Sequence, residues 1–207
     1  MYVPAAFAET DVNRLHPFIE QHSFATLVSN QGEEPFASHL PLLLQREVGQ
    51  NGCLLGHFAR ANPQAGTPDN QSVLAIFHGP HAYISPTWYA SQNTVPTWNY
   101  QAVHVYGRYS RITDDAELKA IIAETVRFYE ASQPEPWSIE TPEAEFTEGL
   151  LKGIVGFRIE IERIEGKFKL SQNHPEERRQ KVIDALKKQS SDDAQAIAAL
   201  MEADLPA

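Results

Sequence analysis

Two short stretches of the chain carry side chains that suit a phosphate group. The first runs from Gly56 to Pro63, where a strand pattern ends in Gly-His and passes into a turn that contains Arg60. The N–H groups at the start of a helical turn, the helix dipole and a guanidinium all favour an anion. A capped turn with a surface arginine is the alternative interpretation, because the stretch matches no Walker or Rossmann pattern.

The second stretch, Lys167 to Asn173, follows a strand pattern that ends at Ile164. In an extended chain Lys167, Lys169 and Ser171 point to one side, so two ammonium groups and a hydroxyl would face either one ligand or solvent. An exposed lysine pair is the commoner arrangement. The Ser-Gln-Asn sequence that follows adds hydrogen-bonding groups, which favours a ligand.

A third stretch, residues 77–107, is rich in aromatic side chains. It contains Trp88 and Trp98 among four tyrosines and three histidines, with prolines where strands should stop. Flat rings with a polar edge suit a planar ligand, but tryptophan and tyrosine also fill many β-barrel interiors. The stretch alone leaves a ligand site and a barrel core as alternatives.

Other chemistry has weaker support in the residues. The spacing of the eight histidines matches no standard zinc pattern, so no metal site is predicted. Cys53 has no helper residue nearby and is interpreted as a small buried side chain. No nucleophile elbow or carboxylate pair stands out, so the catalytic residues, if there are any, are unknown.

The elements that must position these residues are mostly short strands. Alternating or apolar runs predict strands at 24–29, 36–44, 53–57, 73–77, 81–85, 103–112 and 154–164, with a hairpin turn at Gly79-Pro80. Helices are predicted after Thr10, from Asp114 to about Ala131, and after Thr141. Two more helices are predicted at 176–188 and 192–203. This pattern favours a mainly β protein with peripheral helices (α+β), an antiparallel barrel over 1–173 with a helical extension at 174–207.

Charge and hydrophobicity indicate which classes of binding partner to expect. The 207 residues carry a formal net charge of -10, and the basic run around Arg178 is interleaved with acids like an ordinary solvated helix face, so direct DNA binding is not expected. No stretch approaches the roughly 20 apolar residues that cross a bilayer, and the start of the chain has no signal-peptide pattern. A cytoplasmic location and no membrane association are expected.

Six motifs in register resemble the PaiB family, over Met1 to about Leu186. The residues that carry the resemblance are Ser38–Pro41, Gly56-His57 with Ala59–Gln64, Gly79–Pro86 with Trp88-Tyr89, Val95–Tyr100 and Lys167–Asn173, together with Met1-Tyr2-x-Pro. PaiB-like proteins are described as FMN-binding negative transcriptional regulators. Their fold is similar to the split β-barrel of the pyridoxamine 5'-phosphate oxidases, in which a homodimer shares two FMN sites.

The resemblance implies an FMN-binding antiparallel split β-barrel and a set of contacts to the cofactor. Near the phosphate these are Ser38, His39, His57, Arg60 and Asn62. Along the isoalloxazine they are Tyr83, Ser85, Thr97, Trp98 and Asn99. Lys167, Lys169, Ser171 and Gln172 would close the pocket, from the same subunit or from the partner.

The function implied is that of a negative transcriptional regulator or a flavin-based sensor. An FMN-dependent oxidoreductase acting on a small molecule is an alternative, because it would need the same pocket. The basic Ser-Arg-Lys signature of true pyridoxamine phosphate oxidases is absent, so their reaction is not expected. A haem-binding or haem-degrading protein is a further alternative, which requires a histidine facing an open cavity.

Overall fold

The computed structural model of this chain describes residues 1–89 and 93–206. Its strands are β1 Ala8–Glu9, β2 Phe24–Gln31, β3 Glu34–Pro41, β4 Leu43–Gln45, β5 Cys53–Ala59, β6 Ser72–Ile84, β7 Thr97–Arg111 and β8 Ile154–Lys169. Its α-helices are α1 Val12–Gln21, α2 Asp115–Glu130, α3 Ala144–Leu151, α4 Glu176–Leu186 and α5 Asp192–Ala203. Short 3-10 helices cover Ala5–Phe7, Pro63–Gly66 and Pro86–Tyr89.

The strands form one sheet in the order β3-β2-β6-β7-β8-β5-β4, with β1 beside β8. Pairing is antiparallel where β2 meets β3 and β6, and where β5 meets β4 and β8. The two distant strands β3 and β5 are also neighbours, so the sheet curls back on itself as in a barrel. The predicted mainly β, antiparallel barrel with peripheral helices is confirmed.

The chain divides into two compact units. Unit 1 combines residues 1–18, 77–104 and 165–207, and unit 2 combines 19–76 and 105–164. Strands β6, β7 and β8 each contribute one part to each unit.

The interior of unit 2 comes from alternate residues of its strands. Leu27 of β2, Leu54 of β5 and Ile159 of β8 are almost completely buried, and the ring of Phe157 stacks on Phe58 with 4.5 Å between centroids. Side chains of residues i and i+2 share one face of a strand, which is why the alternation in the sequence produces this core. Each such buried side chain stabilises the fold by about 1.5–3 kcal/mol.

Strands β7 and β8 approach so closely within unit 2 that only glycine fits at residue 107. A Cβ on Gly107 would lie 2.3 Å from the carbonyl oxygen of Glu160. Any side chain there would push the two strands apart, so the sequence Tyr-Gly-Arg fixes their spacing.

Helices α4 and α5 are part of unit 1 and supply much of its core. Apolar residues of these helices, of β6 and of the segments beside them form one buried cluster: Ala82, Ile84, Tyr89, Leu170, Val182, Ile183, Leu186, Ala194, Ile197, Ala198 and Met201. Arg179 of α4 is also buried, and its Nη2 donates to Oδ2 of Asp204 at 2.7 Å. The predicted domain boundary at residue 173 stays a prediction.

The predicted hairpin at Gly79-Pro80 is wrong, because β6 continues through both residues as one strand. Gly79 is used for close packing, since a Cβ there would lie 2.8 Å from the ring of Phe18. A Gly-Pro pair permits a turn, but tertiary packing decides whether the chain makes one. Residues 97–100, which lie before the predicted strand at 103–112, form the first part of β7.

In the described part of the chain no helix is long and apolar enough to cross a membrane.

Candidate functional site

Unit 1 contains a cavity of about 330 Å³ that combines cations, hydroxyl groups, amides and aromatic rings. We call it the cationic cavity. Its described lining residues are Phe7, Tyr89, Asn93, Thr94, Val95, Thr97, Lys169, Ser171, Asn173, His174 and Arg178. Two of these described residues, Lys169 and Arg178, are cations, and none is an Asp or Glu. An excess of positive charge in a concave site favours an anionic ligand.

Lys169, at the end of β8, is fixed by two neighbours on β7. Its Nζ donates to the carbonyl oxygen of Trp98 at 2.8 Å and to Oγ1 of Thr97. Burial, and after it the charge of Lys167, lower the pKa of Lys169. An ammonium group has three N–H donors, so these two bonds leave one donor for a ligand.

Arg178 and His174 face the same cavity from the start of α4. The guanidinium carbon of Arg178 lies 5.1 Å from the centroid of the Tyr89 ring, and its Nη1 lies 3.3 Å from Nδ1 of His174. Because arginine has no acceptor, Nδ1 of His174 must accept, which places the proton of a neutral imidazole on Nε2. Burial, then Arg178 and Lys169, lower the pKa of His174, so it is neutral at pH 7.

A buried amide holds the turn that carries Ser171. Ser171 adopts the left-handed conformation, with φ of 64°, which is uncommon for a residue with a side chain. Asn99 is 0% exposed, and its Nδ2 donates to Oγ of Ser171 at 3.0 Å and to Sδ of Met201 at 3.2 Å. Asn99 therefore positions Ser171, and the direct cofactor contact that the resemblance implies for Asn99 stays a prediction.

Gln172 has a similar structural role. Its Nε2 donates to the carbonyl oxygen of Phe168 at 2.6 Å, and its Oε1 accepts from the N–H of Leu170 at 2.7 Å. Both ends of the amide thus bond to the backbone at the end of β8. Gln172 is not among the described lining residues of the cationic cavity.

The predicted aromatic wall also lies outside that lining. Trp98 and Tyr83 are 51% and 47% exposed and pack edge to face, with 5.8 Å between ring centroids. Ser85, two residues after Tyr83, has its Oγ 2.7 Å from Oγ1 of Thr87. None of these three predicted contacts is among the described lining residues of the cationic cavity.

Lys167 is separated from Lys169 despite their shared side of β8. It is buried, its Nζ donates to the carbonyl oxygen of Tyr2 at 3.1 Å, and it lies 5.3 Å from the centroid of the Tyr100 ring. The positive charge of Lys167 contributes to the lowered pKa of Lys169.

Unit 2 holds the remaining predicted residues, and two of them are bonded to each other. Nδ2 of Asn62 donates to Oγ of Ser38 at 2.8 Å, which ties the start of the 3-10 helix Pro63–Gly66 to β3. On the same strand, Nδ1 of His39 lies 3.0 Å from Oγ1 of Thr26.

Arg60 fastens two parts of unit 2. Its Nε and Nη2 donate to the carbonyl oxygens of Lys152 and Ile154, at 2.7 and 2.8 Å. This placement matches the alternative of a structural surface arginine, while a phosphate contact by Arg60 stays a prediction. His57 faces a separate cavity in unit 2, described below.

Sequence reasoning missed His174, Arg178 and Tyr89. The basic run was interpreted as a solvated helix face because Glu176 and Glu177 interrupt it, and this interpretation is wrong for Arg178 and its buried neighbour. A usable signal was present: His174 comes directly before Pro175, the N-cap residue of α4, and Arg178 follows in the first turn, so both lie near the start of one helix.

Similarity to other proteins was found at the level of sequence. Residues 1–163 match the family described as "Putative FMN-binding domain". The chain is 40% identical over 203 residues to "Protease synthase and sporulation protein PAI 2" of Bacillus subtilis, covering 98% of this chain and 97% of that protein. It is 29% identical over 240 residues to an uncharacterized protein of Aspergillus fumigatus, covering 91% of each.

Solved structures share the fold at low identity. The flavocytochrome Anf3 from Azotobacter vinelandii aligns with a TM-score of 0.60 and 13% identity, over 79% of this chain and 69% of that one. The FAD and heme binding protein from Mycobacterium smegmatis aligns with a TM-score of 0.58 and 15% identity, over 78% of this chain and 73% of that one. At such identities the likeness concerns the fold alone.

Proposed function

The chain belongs to the family of FMN-binding domains that its residues 1–163 match, and from that premise we propose that it is an FMN-binding regulatory protein whose flavin serves as a sensor. The predicted PaiB resemblance and FMN as the cofactor are confirmed by this match and by the Bacillus subtilis relative. What we propose beyond them is where the phosphate binds and what the flavin is for.

The observation that carries the proposal is the cationic cavity of unit 1. A phosphate that leaves water must be met by cations and by fixed donors. The cavity offers the charges of Lys169 and Arg178, the remaining Nζ donor of Lys169 and the Nε2 donor of neutral His174. Its volume of about 330 Å³ lies at the lower end of the roughly 300–1,000 Å³ of small-molecule sites.

The residues of this chain have binding and positioning roles in the proposal. Lys169 and Arg178 neutralise the phosphate, and His174 holds its proton at Nε2 toward a phosphate oxygen. Asn99 holds the Ser171 turn, and the hydroxyl of Ser171 already donates its proton to Oδ1 of Asn99. FMN, when bound, supplies reversible electron and hydride transfer at its ring. The predicted phosphate contacts Ser38, His39, His57, Arg60 and Asn62 stay predictions.

A regulatory role is supported by the relative from Bacillus subtilis. That protein is named "Protease synthase and sporulation protein PAI 2", and it matches this chain over nearly the whole length of both. The regulation we propose is negative control of transcription.

Control of transcription would be indirect. With 17 basic and 27 acidic residues, the formal charge of -10 repels the phosphates of DNA. A partner protein or a metabolite would therefore transmit the signal. A mobility-shift titration with site-specific, sub-micromolar binding at physiological salt would contradict this part of the proposal.

We also propose that the chain forms a homodimer. Unit 1 exposes Val95 and Trp98, and unit 2 exposes Phe24, and large exposed apolar side chains are common at interfaces. A cofactor shared across an interface requires two copies in an isologous arrangement. Light scattering of the FMN-loaded protein should give twice the mass of the chain, and a monomer at micromolar concentration would refute this point.

The experiment that tests the phosphate site compares FMN with riboflavin, which has the same ring but no phosphate. Arg178→Ala should weaken FMN roughly ten- to a hundredfold, because it removes a charge-assisted contact worth about 1.5–3 kcal/mol. Lys169→Ala should weaken FMN to a smaller extent, because an ammonium is a point charge without the fork of a guanidinium. Flavin-fluorescence titrations measure both ligands.

Lys181→Ala is the matched control on the same helix. Lys181 pairs with Glu177 on the surface of α4, so its loss should leave both affinities unchanged. Equal losses of FMN and riboflavin in Arg178→Ala, or no loss of either, would show that the phosphate does not bind in the cationic cavity.

A further inference from the structure

Unit 2 contains a cavity of opposite chemistry, with a volume of about 230 Å³. We call it the apolar cavity. Its described lining residues are His57, Ile122, Val126, Trp137, Ile139, Pro142, Phe146, Thr147, Leu150, Leu151 and Ile154. No Asp, Glu, Lys or Arg is among these described residues.

The position of His57 in this cavity follows from the alternation of β5. Phe58 faces the barrel interior, where it stacks on Phe157. Cys53 and Leu55 face the opposite side, where they pack in one cluster with Leu118 of α2. His57 is the next residue on that side, so an imidazole stands where the pattern of the strand favours an apolar side chain.

The imidazole of His57 has unused hydrogen-bonding capacity. It makes no hydrogen bond with any residue in the described part of the chain. Burial lowers its pKa, so the ring is neutral at pH 7 and carries one donor and one acceptor. The other polar lining side chain, Thr147, is already bonded, because its Oγ1 donates to the carbonyl oxygens of Glu143 and Ile139 at 3.4 and 3.5 Å.

The lining also selects against charged and large ligands. A carboxylate or phosphate would lose its hydration without meeting a cation, which is costly. The volume of about 230 Å³ is below the roughly 300–1,000 Å³ of sites for drug-sized molecules, which suits a small ligand. A small aromatic ring would cover apolar side chains that now face solvent, such as Phe146 and Leu150, both 60% exposed.

We propose that the apolar cavity is a second ligand site, which takes an uncharged aromatic molecule of one or two rings whose single polar group hydrogen-bonds to His57. Phenols and indoles are the chemical class that fits. Its described lining residues all belong to unit 2, whereas those of the cationic cavity all belong to unit 1. The proposal gives His57 this role in place of the predicted contact with the FMN phosphate.

The test uses FMN-loaded protein and 4-fluorophenol, followed by fluorine NMR. Saturable binding to one site per chain is expected. His57→Phe, which keeps a ring of similar size, should weaken 4-fluorophenol about three- to tenfold through loss of one hydrogen bond. Fluorobenzene, which has no hydroxyl, should bind the wild type and His57→Phe equally.

Two further measurements keep the test decisive. Val126→Trp, which fills the cavity, should abolish binding of both fluorinated probes while FMN binding is retained. 4-Fluorobenzoate should not bind the wild type. Absence of saturable binding of 4-fluorophenol, or equal binding of 4-fluorobenzoate, would overturn the proposal.

Other occupants give distinct results. Displacement of 4-fluorophenol when FMN is added to FMN-free protein would assign the cavity to the flavin site and overturn the proposal. If 4-fluorophenol does not bind and Phe146→Ser converts a dimer to a monomer in light scattering, the cavity is covered by a second copy of the chain, which also overturns it. Failure of the phosphate experiment leaves these outcomes unaffected.

Discussion

The cationic cavity of unit 1 and the apolar cavity of unit 2 are similar in size, about 330 and 230 Å³, and opposite in chemistry. The first is lined by the ends of elements: the end of β8, the start of β7 and the first turn of α4. The second is lined by the faces of α2 and α3 and by the outer face of β5. Ends of elements expose hydrogen-bonding groups and loop residues, whereas faces present periodic apolar side chains, so each region acquires the ligand preference of its parts.

The largest expected effect comes from placing a charge in the apolar cavity. Ile122→Asp should lower the free energy of unfolding by about 3 kcal/mol, because a carboxylate there has no cation in the lining to pair with. Urea unfolding measures this. Ala120→Asp, at an exposed position of the same helix, should cost far less. If the two substitutions cost the same, the apolar cavity is wet and the contrast between the cavities fails.

The next effect concerns the buried amide behind the cationic cavity. Asn99→Ala should lower the free energy of unfolding by about 1–3 kcal/mol, since it leaves the buried hydroxyl of Ser171 without its partner. FMN binding should weaken severalfold because the Ser171 turn loosens. Asn173→Ala, an exposed amide in the same cavity, should leave stability unchanged, and an equal loss in both variants would remove Asn99 from its positioning role.

A smaller effect is expected at Arg60. Arg60→Ala should lower the free energy of unfolding by about 1 kcal/mol, because it removes two bonds to carbonyl oxygens at an exposed position. FMN and riboflavin affinities should change equally. If FMN alone is weakened, the phosphate binds in unit 2, and the assignment of anion binding to unit 1 is refuted.

The smallest effect is a pair of opposite pKa shifts. A phosphate beside His174 favours the imidazolium, so FMN should raise the pKa of that residue. An uncharged aromatic beside His57 excludes water, so 4-fluorophenol should lower the pKa of His57 further. Proton NMR titration of the two rings measures both. Shifts of the same sign would mean that the two cavities do not differ in the charge of their ligands.

Both residues also contribute to the pH dependence of stability without ligands, in the same direction as His22 and His104, whose pKa values burial also lowers. Burial lowers the folded-state pKa of His57 and of His174 below 6.5. The unfolded chain therefore binds protons first as the pH falls, and the stability present above pH 6.5 is lost as the pH falls through the folded-state pKa values. Replacing either histidine by phenylalanine should flatten the stability curve below pH 6.5.

Local patterns in the sequence predicted the barrel and part of the site. Alternation along β2, β5 and β8 is a local property, so the antiparallel sheet could be recognised. Lys169 and Ser171 were found because they lie in one compact motif. Thr97, on another strand, was found through the resemblance.

The roles of the other site residues could not be predicted, because they depend on which partner each polar side chain bonds to in the folded chain. Gln172 and Asn99 are amides like any ligand-binding amide, but one bonds to the backbone and the other to a buried serine. Arg178 was missed because the neighbouring glutamates made the segment resemble a solvated helix face. The lining of the apolar cavity comes from residues between 57 and 154. No local sequence pattern predicts that residues so far apart in the chain lie together.

The adjacent pair Arg178 and Arg179 sets the rotation of α4 about its axis. Consecutive residues of a helix are about 100° apart, so one guanidinium lies over the Tyr89 ring while the other lies buried against Asp204. An insertion of one residue between Pro175 and Arg178 would turn Arg178 toward Asp204 and leave no arginine over the Tyr89 ring. A deletion of one residue there would turn Arg179 toward that ring and leave Asp204 without its arginine. Two neighbouring arginines therefore fix the helical register, and α4 tolerates substitution on its surface far better than a change in length.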